Sequence, residues 1–123
     1  MRTKLIILFI LLSVMLMANL HGIREMRARQ IEPPTVRELF LSNPEDGGLV
    51  IYTTIPNLRF DSNMNSIVKV DEMPLDGKYK LYLKTMRNQI IIIKSVGYAE
   101  CHIHISNLQA QEGRYYALED ISE

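Results

Sequence analysis

The chain has no tryptophan, a single cysteine, only three phenylalanines and no net charge, with 14 cationic against 14 acidic side chains. Each shortage excludes something. A lone cysteine, Cys101, closes no internal disulfide, so stability must come from apolar burial and sheet hydrogen bonds. Balanced charge leaves no basic stripe, and no nucleic acid partner is expected. Without tryptophan a carbohydrate-stacking surface is poorly supplied. The chain also lacks a glycine-rich phosphate loop and a nucleophile elbow. Its acidic residues sit mostly in turns such as Asp71-Glu72 and Asp76, rather than as a catalytic carboxylate pair. No enzyme activity and no cofactor are expected.

What is present begins at the N-terminus. Thirteen apolar or near-apolar residues, Leu5 to Met17, follow the cations Arg2 and Lys4. A basic start, a short apolar run and small residues behind it have the form of a secretory signal peptide, here residues 1–22. Cleavage is expected between Ala18 and Gly22, although Leu16 is an imperfect partner for Ala18 at such a site. The alternative is an uncleaved anchor in the inner membrane, for which the run stands at the short edge of the roughly 17 to 25 residues a spanning helix needs. A lipid-anchor signal requires a cysteine just behind the run, and a twin-arginine signal requires an Arg pair before it; neither occurs. Losing Arg2 and Lys4 leaves 12 cations against 14 acids, a net charge of about −2. That gives no electrostatic reason to bind an anionic membrane. The expected location is the periplasm or cell surface, with a membrane contact only through an uncleaved N-terminal segment.

Residues 23–34 carry four charges between Arg24 and Arg29 and end in Pro33-Pro34, which suggests a flexible leader. From Thr35 to Glu123 short strand patterns alternate with turn signals. Val36–Ser42 is the first expected strand, followed by a turn at Asn43 to Gly48. Leu49–Ile55, Leu58–Asp61 and Ile67–Asp71 follow, and then the turn pair Asp76-Gly77. Tyr79–Lys84 alternates cleanly, with Tyr79, Leu81 and Leu83 on one face. Four successive isoleucines, Ile90 to Ile93, imply burial on both faces and a central position, flanked by the gatekeepers Arg87 and Lys94. An aspartate at position 91 is expected to unfold or aggregate the domain. Cys101, Ile103 and Ile105 alternate with Glu100, His102 and His104, and Tyr115–Leu118 closes the set. Seven or eight such strands without a long helix predict an all-β protein, a small antiparallel β-sandwich in residues 35–123.

Three groups invite a chemical reading. Glu100, His102 and His104 are the only local cluster of metal-ligand types, and strand geometry turns them to one side. Glu100 and His104 would lie about 13 Å apart at roughly 3.3 Å per residue. A compact metal site, or a metal-assisted enzyme built on it, therefore needs a ligand from another strand. The plain reading is a solvated strand face. Cys101 shares the face of Ile103 and Ile105, as a buried small apolar side chain does. Tyr52, Tyr82 and Tyr115 would suit a glycan platform, or serve as ordinary strand formers.

Part of the chain resembles a bacterial pattern. Ser42, Asn43 and Pro44, then Gly47 and Gly48 before Leu49 to Thr54, are similar to the opening of PEGA-type domains. Ile91, Ile93, Gly97, Tyr98 and Ile103 resemble that family's strand, Gly-Tyr turn and returning strand. Ile55 to Asn63 looks like PEGA-like modules of exported Bacteroidetes proteins. The tetrapeptide that names the family is approximated only by Pro44 to Gly47, and Thr54-Ile55-Pro56 replaces the usual turn after the second strand. Carboxypeptidase-regulatory-like sandwiches are similar as well. The resemblance implies a non-catalytic envelope module, whose partner is an envelope protein or polysaccharide, and it assigns no catalytic residue. A glycan- or ligand-binding accessory domain is the alternative.

Overall fold

A computed structural model of the chain describes residues 23–34 and 43–122. The expected signal segment and the expected strand Val36–Ser42 lie outside the described residues. Eight strands form two sheets: β1 (Met26–Gln30), β2 (Asp46–Tyr52), β3 (Arg59–Ser62), β4 (Ile67–Met73), β5 (Lys78–Lys84), β6 (Asn88–Lys94), β7 (Cys101–Ser106) and β8 (Gly113–Asp120). The larger sheet runs β1-β8-β2-β5-β4 and the smaller β3-β6-β7. The expected all-β sandwich is present. Every pairing is antiparallel except β2 with β8, which run parallel from Gly48↔Gly113 to Tyr52↔Ala117.

Alternation decides the core. Leu49 and Ile51 of β2, Tyr79, Leu81 and Leu83 of β5, and Tyr116 and Leu118 of β8 face inward from the large sheet. Ile91 and Ile93 of β6 and Cys101, Ile103 and Ile105 of β7 meet them from the small sheet. Full burial of one such aliphatic side chain contributes about 1.5–3 kcal/mol. The isoleucine run does occupy the central strand of its sheet. Only Ile91 and Ile93 are fully buried, whereas Ile90 and Ile92 are half-buried on the outer face. Among the described residues no strand layer covers the far side of this three-stranded sheet, so its middle strand buries one face completely, not both.

Two expectations need correction. The leader at 23–34 contains β1, paired with β8 along its whole length from Met26↔Asp120 to Gln30↔Tyr116. Met26 is buried in the core and Ala28 packs against it. The intervening arginines point outward, and Arg29 forms a 2.8 Å ion pair with Glu119. With only two modest apolar residues among four charges, the period of two is hard to see, and Pro33-Pro34, read as the mark of a leader, falls after the strand rather than within it. The turn expected at 43–48 also ends early. Asn43 does open it, since Asn43 Oδ1 accepts from Glu45 N at 3.0 Å, but β2 starts at Asp46. Gly47 sits in that strand because Leu108 packs over it: a Cβ there would stand 2.7 Å from the Leu108 side chain.

Candidate functional site

The strand β7 sets Cys101, Ile103 and Ile105 inward and His102 and His104 into solvent, so the alternation read from sequence holds residue by residue. Glu100 precedes the strand. Its carboxylate lies 3.3 Å from His102 Nε2 and 3.8 Å from Lys94 Nζ, both pairs exposed. His104 joins neither contact; it stands opposite Ile90 of β6, and His102 stands opposite Ile92. The neighbouring strand thus offers isoleucines where a metal would need a further ligand. Among the described residues no group of three or more histidines, cysteines, aspartates or glutamates is placed to hold a metal ion.

Cys101 is buried. Desolvation pushes its thiol up from the ordinary value, against a smaller lowering by a backbone hydrogen bond from Ala28. A thiol held protonated and enclosed is a poor nucleophile. Tyr52, Tyr82 and Tyr115 do share the outer face of the large sheet, where Tyr52, Tyr82 and Ile31 pack on the buried pair Val50 and Tyr115. Lys69 Nζ stands 5.7 Å from the Tyr82 ring centroid. With Tyr115 buried, the three rings act as a packed patch rather than as a set of open stacking surfaces.

Four of the described strands lie at sheet ends, β1 and β4 in the larger sheet and β3 and β7 in the smaller, and β4 is one of the longest of them. Among the described residues β4 pairs only with β5, and the short β3 only with β6. On β4, the register steps from Ile67↔Leu83 to Lys69↔Tyr82, which leaves Val68 as a bulged residue, 52% exposed. Beyond the bulge, Lys69–Met73 forms a regular ladder with β5, and among the described residues no strand pairs with its outer edge. Glu72 takes a core-side position opposite Tyr79 yet remains exposed. A bulge and an inward-side charge are common guards against indiscriminate strand pairing. On the side of β1 and β7 the two sheets are linked just outside those strands: Arg24 and Tyr98 form a parallel bridge, with Arg24 N donating to Gly97 O at 2.8 Å and Ala99 N to Arg24 O at 2.9 Å.

Sequence reasoning missed a buried polar cluster behind the β4 margin. Ser66 and Gln89 are buried, and Ser66 Oγ donates to Gln89 Oε1 at 2.5 Å. Gln89 Nε2 donates to Lys84 O at 3.0 Å, and the Ser62 and Ser66 hydroxyls lie 2.6 Å apart. The cluster joins the β3–β4 turn to the end of β5 and the start of β6. The one available signal was Gln89 at an inward position of an otherwise apolar strand. Shallow depressions also mark the surface of the described residues. One, of about 370 Å³, lies between Thr85–Arg87 and Asn107–Ala110; the other, of about 240 Å³, is lined by Asn57, Arg59, Lys94, Ser95 and Val96. Neither gathers a nucleophile with a base. Among the described residues no helix is long and apolar enough to cross a membrane. No family model, no curated protein and no solved structure matches this chain.

Proposed function

We propose that the chain is an exported, non-catalytic PEGA-like module that makes protein–protein contacts at the cell envelope, by accepting a partner's strand along β4. The outer edge of Lys69–Met73, which has no strand partner among the described residues, carries this reading, because N–H and C=O groups in a row along a sheet edge are the physical basis of strand addition. The guards Val68 and Glu72 support it: they oppose casual pairing and leave room for a partner shaped to the bulge. Export rests on the basic start and the run Leu5–Met17, and an envelope protein is the partner that location supplies.

The test is affinity recovery from the native envelope with the intact protein and its Val68→Lys variant. Val68 is exposed, so the variant's stability should stay within about 0.5 kcal/mol of the parent. A partner bound at the edge should be lost by roughly tenfold or more, equivalent to about 1.4 kcal/mol. Equal recovery of the same partner by both proteins would move the contact away from β4.

A further inference from the structure

Among the described residues six large apolar side chains stand exposed, and four of them, Ile23, Leu75, Val96 and Ile121, gather at one end of the sandwich. The hydrogen bonds fix this placement. The crossover from β2 to β3 runs between two turns. Thr53 N donates to Gly77 O at 2.9 Å on the side of the Leu75 turn, and Ser95 Oγ donates to Pro56 O at 2.7 Å on the side of the Val96 turn. Ile23 adjoins Arg24, whose backbone is bonded to Gly97 and Ala99, and Ile121 N donates to Glu25 O at 3.0 Å. Leu75 and Val96 are the two most exposed, at 101% and 86%. Each is at the tip of a tight turn: Leu75 lies within the 3-10 turn Pro74–Asp76, and Val96 precedes Gly97. Folding gives neither side chain anything to cover.

The same end receives the chain from the apolar run. Five residues lie between Met17 and Ile23, and an extended chain across those six Cα–Cα steps reaches only about 20 Å. If Leu5–Met17 stays in a bilayer, this end of the sandwich is held within that distance of its core. Beside Val96, Arg59 and Lys94 line the 240 Å³ notch, with Lys94 only loosely paired to Glu100 at 3.8 Å. Apolar tips next to long cationic side chains match the layering of a membrane interface, with acyl chains below and phosphates above.

We propose that in the form retaining Leu5–Met17 the domain lies on the phospholipid surface through this end, with Leu75 and Val96 entering the interface and Arg59 and Lys94 meeting headgroup phosphates. The proposal rests on the exported reading and on retention of the run, which intact mass measurement of the membrane-extracted protein decides. Recovery of only a species cut before Ile23 overturns it while leaving export standing; a full-length protein found only in the cytosol overturns both. The direct test uses the full chain in vesicles of phosphatidylethanolamine and phosphatidylglycerol. An environment-sensitive fluorophore is attached to Leu75→Cys, Val96→Cys or, at the opposite end, Ala110→Cys, with Cys101 shielded by the fold. Positions 75 and 96 should show blue-shifted emission that acyl-chain nitroxides quench, and position 110 should show neither. Water-like, unquenched emission at 75 and 96 in vesicle-bound protein would overturn the docking.

Discussion

Gly47 shows how one residue governs local packing. Leu108, from the loop between β7 and β8, occupies the space a side chain would need, and Gln109 O is also only 3.1 Å from that position. A Gly47→Ala variant should lose about 1–3 kcal/mol through overpacking, read as a lower urea midpoint with an unchanged slope. Gly77 serves a different need, since its φ of 66° ends the 3-10 turn in the left-handed region. Turn chemistry made Gly77 visible in the sequence, whereas Gly47 read only as part of a turn, because its packing constraint comes from Leu108, far along the chain. The Ser66–Gln89 pair was hidden for the same reason: each is an ordinary polar residue until the fold encloses both.

At the scale of elements, β6 carries the sharpest contrast. Ile91 is fully enclosed, and Ile92, adjacent on the strand, is half-buried on the outer face. Ile91→Ala should cost about 2–5 kcal/mol, and Ile92→Ala roughly 1 kcal/mol or less, both by chemical denaturation. The edge strand β4 makes a separate prediction. Its charge at Glu72 is set on the core side of the sheet margin, where an approaching strand would have to desolvate it. Glu72→Val should raise self-association, visible as a concentration-dependent shift in sedimentation or light scattering that the parent does not show. Strand patterns with strong alternation, Tyr79–Lys84 and Cys101–Ser106, were legible to within a residue. The strand β1 was not, because its inward residues are only Met26 and Ala28 and its partner β8 lies at the far end of the chain.

For the molecule as a whole, the carboxylates set the response to acid. The Arg114 hydrogen bond holds Glu112 below the usual carboxylate range, and Glu112 also accepts from Gln109 N at 2.9 Å, which knits the β7–β8 loop. Glu119 is lowered by its hydrogen bond with Arg29, and Asp120 by that from Tyr98. Groups depressed in the folded state stabilise it fully above their unfolded values, about 4, and lose that contribution as pH falls through the folded ones. Urea midpoints should therefore fall between pH 5 and pH 3, and the fall should be smaller in Glu112→Gln.

The sequence by itself determined the class of fold, the inward and outward faces of most strands, and the burial of Cys101, because these follow from local alternation and side-chain chemistry. It also marked Leu5–Met17 as the segment on which the proposals about location depend. Only the tertiary structure decided which strands are neighbours: that β1 and β8 pair, that β8 runs parallel to β2, and that β4 ends its sheet among the described residues. The reason is physical. Pairing of strands distant in the chain depends on which faces must be covered together, a requirement met by the assembled sheets and written in no single segment. The same assembly set His102 and His104 against isoleucines, and brought Ile23, Leu75, Val96 and Ile121 from four separate parts of the chain to one end.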